Sequence, residues 1–317
     1  MNRHRGACMD PGDDKVWGLK QRPDPQSHDH LHRWEPWVRS YLCAQALTSD
    51  LSFVVLGDVN GRAPETLQDG QASKFNVTLF AGLPGQAKPM PLVRLVRPTQ
   101  EAFERQVASV LTWADLREER LPEVLTQIGN CFAFWGALVP LHAERLRYTR
   151  EVLDAAVQFA MFVEMRFKHE LACWRPADLS PQVQPMVTTP GHGSLPSGHC
   201  TEAFVIKEVL EALLGMDLAQ DDPNLHRQFE RTAARIATNR VVAGVHFPID
   251  NLAGRLLGTV LGRYFVFRSK GMLSNGAPWT SEFRTFHGDR CNGLEEFDPD
   301  RQDLNMTDPQ EIGRAHV

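Results

Sequence analysis

"GSLPSGHCTEAF", Gly193 to Phe204, opens with loop formers and closes inside an apolar pattern of helical period. Pro196, Ser197 and Gly198 interrupt regular structure, and the helix pattern begins at His199. The stretch therefore reads as a loop feeding the first turn of a helix. Amides of a first turn have no partner inside the helix, and the helix dipole favours negative charge there. Gly198 lets backbone approach a ligand, Ser197 adds a hydroxyl, and His199 can exchange a proton near neutral pH. Taken alone, plain capping by Ser197 with an exposed His199 explains the same residues equally well.

The helical period extends on both sides. Thr99 suits the cap of a helix to about Leu116, and Pro122 the first turn of another to about Arg147, kinked at Pro140. Thr149 suits the cap of a third, with Val152, Ala155, Ala156, Phe159, Phe162 and Val163 on its buried side. A fourth follows His199, and a fifth starts near Asp222-Pro223. A sixth spans Pro248 to Lys270, with Gly271 as a stop. Upstream, the apolar run Trp34–Leu56 is expected to be helical for much of its length. "SKFNVTLF" (Ser73–Phe80) alternates, and "PMPLVRLVRP" (Pro89–Pro98) is extended between prolines; the two could pair. The expected fold is an all-α helical bundle of about six main helices with a less regular N-terminal region. The expected divisions are a flexible arm over 1–30, a mostly helical region over 31–148, a helical catalytic core over 149–271 and a polar tail over 272–317.

Bulk properties narrow the function. The 317 residues carry a formal charge of −5, with no basic excess of the kind nucleic-acid binding needs. The most apolar run, Val124–Ala143, is broken by Gln127, Gly129, Asn130 and Pro140, which fits a buried helix better than a membrane span. The N-terminus lacks the apolar segment of a secretory signal. Six scattered cysteines without a C-x-x-C pair point to reduced thiols and a cytoplasmic location. His28, His30 and His32 alternate, but one nearby carboxylate and no cysteine make a solvated tail the better reading than a metal site. Exposed apolar helix faces favour a homo-oligomer. The last seven residues, "EIGRAHV" (Glu311–Val317), can be encoded by a run resembling the start of a sequencing adapter, and read-through of library DNA is expected there.

Three short segments hold the unusual chemistry. In "KHELACWRP", Lys168 and Arg175 lie seven residues apart, about two helical turns, so both should project from similar sides of the third helix before Pro176 ends it. The opening stretch supplies Ser197, Gly198 and His199. In "NRVVAGVHFPID", Arg240 precedes His246 by six and Asp250 follows it by four. If that segment is helical, Asp250 can accept the imidazole N–H and leave the other ring nitrogen basic. Each segment alone has an ordinary structural explanation: a solvated face, a cap, a surface pair. Together they provide three cations, two histidines, an orienting carboxylate, a serine and a glycine-opened helix start. A phosphate-like oxyanion site needs this inventory.

In order and spacing, Lys168…Arg175-Pro176, Pro196-Ser197-Gly198-His199 and Arg240…His246…Asp250 resemble a signature of three related groups. These are type 2 phosphatidic acid phosphatases, bacterial non-specific acid phosphatases and vanadium-dependent haloperoxidases. The resemblance covers roughly residues 150–262. It implies that Lys168, Arg175, Arg240, Ser197 and Gly198 bind the oxyanion. It makes His246 the phosphorus nucleophile or the axial ligand to vanadium, His199 the acid–base group and Asp250 the orienter of His246. Two positions depart from the chloroperoxidases: Met165 replaces a tryptophan and His192 replaces a phenylalanine. Bromide-oxidising relatives tend to carry histidine at the latter position, which suggests His192 as a proton relay; an ordinary loop histidine fits as well. The resemblance thus favours a soluble vanadate-dependent haloperoxidase acting on bromide or iodide with hydrogen peroxide. The alternatives are a cofactor-free histidine phosphatase for phosphate monoesters and a non-catalytic oxyanion-binding protein.

Overall fold

The computed structural model describes residues 29–57, 75–83, 87–129, 131–215, 218–271 and 283–298. Helix α1 (Pro36–Thr48) starts with proline in its first turn, where the missing N–H needs no partner. The apolar run does not continue as helix. It becomes strand β1 (Leu51–Leu56), in which Phe53, Val54 and Val55 favour extended backbone. Strands β2 (Asn76–Ala81) and β3 (Met90–Val96) follow, and they pair antiparallel as expected.

The all-α expectation fails here. β1 pairs antiparallel with β2, and the supposed irregular tail contributes β4 (Arg284–His287), parallel to β3. The result is one four-stranded mixed sheet in the order β1-β2-β3-β4. The physical reason is non-local pairing. β4 is short, lies far along the chain, and gains its stability from buried Phe286 and from β3 rather than from any pattern of its own.

The helices that follow are α2 (Gln100–Trp113), α3 (Arg117–Thr126) and the single turn α4 (Phe132–Trp135). Thr99 caps α2, accepting from the Ala102 amide at 3.2 Å. Pro122 lies inside α3 rather than at its start, and the chain leaves helix well before Pro140. The long helix α5 (Arg147–Leu171) begins ahead of Thr149 and stops at Ala172, whose φ is +46°. Its residues Ala155, Ala156, Phe159 and Val163 are buried, but Phe162 is exposed beside Tyr41 of α1. Next come the single turn α6 (Pro176–Leu179), α7 (Gly198–Leu214), the single turn α8 (Leu218–Asp221), α9 (Pro223–Val242) and α10 (Pro248–Gly271). The Asp222 side chain caps α9 by accepting from the Leu225 amide at 3.0 Å.

Packing of α10 on α7 sets the position of the site. Gly254, Gly258 and Gly262 recur every four residues on α10 and face α7. A Cβ at Gly254 would lie 2.8 Å from the Ser197 carbonyl, and one at Gly262 2.6 Å from Glu208 Cβ. The bare backbone therefore lets the two helices approach closely. At their common end the Ser197 amide donates to the Asp250 carbonyl at 2.9 Å. Buried Gln106 of α2 accepts from the Ile249 amide at 3.1 Å and so satisfies a first-turn amide at the buried start of α10. The sheet packs against α5 and α10, with Phe53 and Phe167 ring centroids 5.4 Å apart. Among the described residues, no helix is long and apolar enough to cross a membrane. The N-terminal arm up to residue 28 and the segment Glu311–Val317 lie outside the described residues.

Candidate oxyanion site

A cavity of about 530 Å³ opens where α5, α7 and α9 meet the loops that join them. Lys168 reaches it from the last turn of α5, Arg175 from beyond that helix, and His192 from the loop before α7. Gly198 and His199 come from the first turn of α7, Arg240 from the last turn of α9, and His246 from the turn into α10. Ser197 and Asp250 stand behind this wall, both fully buried. One expectation needs correcting. Arg175 is not on the helix with Lys168, because α5 ends at Leu171 and Arg175 is the extended residue before α6. Both still line the same cavity, because Cys173 and Lys168 anchor the loop against which Arg175 lies. The Ser194 amide donates to the Cys173 carbonyl at 3.0 Å, and Lys168 Nζ donates to the carbonyls of Ser194, at 3.2 Å, and Pro196.

Two contacts fix the tautomer of His246. Asp250 Oδ2 lies 2.9 Å from Nδ1, and Arg175 Nη1 lies 3.2 Å from Nε2. A guanidinium only donates, so Nε2 accepts, and the ring proton sits on Nδ1, where it donates to the carboxylate. Asp250 also accepts from the Phe247 amide at 2.9 Å, so it is locked in place at the start of α10. Burial, then Arg175 and Lys168, push the His246 imidazole well below its ordinary pKa. The ring is thus neutral at pH 7, with a lone pair on Nε2. Burial raises the Asp250 carboxyl to about 6, against the opposing pull of the Phe247 amide, Lys168 and Arg175.

The cations have no carboxylate within ion-pair distance among the described residues. Arg175 donates instead to the carbonyls of His192, at 3.1 Å, and Val245, at 2.7 Å. Arg240 Nη2 donates to the Val124 carbonyl at 3.0 Å and to Gln127 Oε1 at 3.2 Å. Burial lowers Lys168 to about 8, against the opposing pull of Glu164, and lowers Arg240 to about 10. Near the cavity, three buried donors have no hydrogen-bond partner among the described residues: Ser197 Oγ, Arg240 Nε and Gln127 Nε2. Ser197 does not cap α7 with its side chain, so its hydroxyl remains available.

Residues 153–271 match the model of the PAP2 superfamily. A stretch of 122 residues is 27% identical to a vanadium-dependent bromoperoxidase of Ascophyllum nodosum, covering 32% of this chain. The match spans 22% of that relative's length. A transmembrane PAP2-type phosphatidylglycerolphosphate phosphatase from Bacillus subtilis aligns with TM-score 0.43 and 21% identity, over 56% of this chain and 90% of its own.

The other two imidazoles that line the cavity, His199 and His192, also have defined states. His199 Nε2 lies 2.8 Å from the Gln127 carbonyl and must donate to it, which leaves Nδ1 unprotonated in the neutral ring. Burial and then Arg240 lower His199 to about 4. His192 Nδ1 lies 3.1 Å from Arg175 Nη2 and 3.2 Å from the Gly193 carbonyl. The neutral ring accepts from the guanidinium; a protonated ring would turn to donate to the carbonyl. Burial and then Lys168 lower its pKa, so the neutral form holds.

Three residues of the cavity region were not singled out as site residues by the sequence reading. Gln127 joins His199 to Arg240, and Asn239 donates to Gln127 at 3.0 Å and to Glu123 at 2.9 Å. Its signal was its position as a polar break in an apolar run. The other two are carboxyls, Glu164 of α5 and Glu202 of α7, which line the cavity with the cations. Glu164 is four residues before Lys168, on the buried face of its helix, where a carboxyl is rare without a partner.

Proposed function

We propose that this chain is a vanadate-dependent haloperoxidase that uses hydrogen peroxide to oxidise bromide or iodide. The observation that carries the proposal is one cavity where Lys168, Arg175, Arg240, His199 and His246 converge, beside buried donors that have no partner. The donor set fits vanadate. Lys168, Arg175, Arg240, the Ser197 hydroxyl and the Gly198 amide would hold its oxygens, and His246 Nε2 offers the lone pair that would bind the vanadium. Vanadate supplies Lewis-acid activation of peroxide, so that halide, peroxide and one proton give hypohalous acid and water.

The chain's own groups act around that chemistry. Asp250 keeps the His246 proton on Nδ1 and so keeps Nε2 basic. His199 is the acid–base group. Its pKa is depressed by burial and by Arg240, and an oxyanion in the cavity opposes the cationic part of that effect and promotes protonation. His192 sits at the open edge of the cavity and can pass a proton between solvent and the site. Likeness to the Ascophyllum bromoperoxidase supports this assignment.

The fixed tautomer of His246 favours one second reading, a phosphatase for phosphate monoesters. There Nε2 would attack phosphorus, the ester P–O bond would break, and His199 would protonate the leaving oxygen. The test divides protein freed of oxyanions into two portions. One receives vanadate, peroxide and bromide with a halogen-trapping dye; the other receives an aryl phosphate. Vanadate-dependent halogenation that His246→Ala abolishes supports the haloperoxidase. Phosphate release blocked by vanadate, with no halogenation, overturns it in favour of the phosphatase.

A further inference from the structure

An anion site should not hold uncompensated carboxyls, yet Glu164 lies inside this one. Its side chain is 3% exposed, lines the cavity, and Oε2 has no hydrogen-bond partner. It rests against the first residue of α7: a Cβ built on Gly198 would lie 2.6 Å from Glu164 Oε1 and 3.4 Å from Oε2. The charged or titratable groups around it are Lys168 on its own helix, Arg175 beyond that helix, and Glu202 and Cys200 on α7. An oxyanion held by the Gly198 amide and these cations would come against the Glu164 carboxyl. Two anions cannot meet in a buried site unless a proton lies between them.

We propose that Glu164 shares one proton with the bound oxyanion, so the site discriminates by whether a ligand brings a proton of its own. The proposal rests on the oxyanion-site reading above. A hydrogen phosphate ion, or a protonated vanadate, donates its O–H to the Glu164 carboxylate. Sulfate has no proton to give, so it binds only when Glu164 is itself protonated and donates to a sulfate oxygen. Burial, and then Glu202, raise the Glu164 carboxyl well above its ordinary range. Burial raises half-buried Glu202 itself to about 7, so the pair retains a proton near neutrality.

The test is calorimetric titration of the full, oxyanion-free chain with inorganic phosphate and with sulfate, between about pH 7.5 and 9. Charges on the lysine, arginines and histidines act on both ligands and largely cancel in the ratio of affinities. The phosphate-to-sulfate ratio is expected to rise about tenfold per pH unit in the wild type and to stay flat in Glu164→Gln. The wild-type slope needs no variant, so poor folding of Glu164→Gln does not decide the matter. Binding of both anions with a flat wild-type ratio overturns the role of Glu164 and leaves the oxyanion site standing. An unchanged slope in a folded Glu164→Gln protein does the same. Binding of neither anion overturns both.

Discussion

Lys168 and Lys207 are both buried, at 1% and 4% exposure, on helices that pack together. Their surroundings are opposite. Lys207 Nζ lies 2.9 Å from Glu230, 3.2 Å from Glu208 and 3.3 Å from Glu211, and Arg255 joins the group at Glu230. Burial disfavours its charge, but Glu208, Glu230 and Glu211 outweigh that and raise its pKa. Lys168 donates only to backbone carbonyls, and burial lowers it to about 8. The two lysines are alike in burial and differ in the identity of their partners. The Lys207 network is closed by carboxylates in direct contact, whereas Lys168 has no carboxylate within ion-pair distance among the described residues.

The largest effect should come from the most committed group of the open pocket. His246→Ala is expected to lower turnover by about a thousandfold or more, measured by steady-state kinetics, with its circular-dichroism spectrum unchanged. Retained turnover would remove His246 from the chemistry.

Exchanging each lysine for methionine breaks the comparison if it is wrong. Lys168→Met should weaken vanadate binding by about a hundredfold. Lys207→Met should leave that affinity unchanged and destabilise the fold by about 3 kcal/mol in urea, because three carboxylates lose their buried partner. Equal effects of the two variants on binding would erase the distinction.

The pH dependence follows from the same contrast. The protonated form of Lys168 attracts the anion, and in the free protein that form is lost as pH rises through about 8. Phosphate affinity should then fall by up to about tenfold per pH unit on the alkaline side. An affinity that rose there would contradict the assignment. The smallest effect is structural. Gly244, at φ +78°, would place a Cβ 2.7 Å from Arg117 Nη2. Arg117 ties α3 to the carbonyls of Val183, Gln184 and Val242. Gly244→Ala should destabilise by about 1–3 kcal/mol in a urea melt, with a smaller effect on the pocket.

The helix starts around the cavity were legible because their signals are local. Asp222-Pro223 and Pro248 mark helix starts through caps and missing amides, and Pro196-Ser197-Gly198 marks another. That His246, Arg240 and Lys168 meet near the start of α7 was implied by the resemblance rather than by spacing, and in the structure all three line one cavity with Gly198 and His199. The sheet was not legible for the opposite reason. β1 continues an apolar run that begins as helix, and β4 depends on a strand far away in sequence. Arg175 was placed on the wrong element because seven residues fit two helical turns, while the chain turns at Ala172 after only four of them. Glu164 carried a visible signal, a carboxyl between Val163 and Phe167 on an apolar face, but only the folded cavity gives that position a chemical meaning.

The central claim is that cations and imidazoles far apart in sequence line one cavity that binds one oxyanion. Titration of oxyanion-free protein with vanadate, followed by calorimetry, tests it most directly. The account predicts a single equivalent bound, displaced by phosphate and lost in Arg240→Ala and His246→Ala proteins that remain folded. No binding, or binding that both variants retain at full strength, would contradict it.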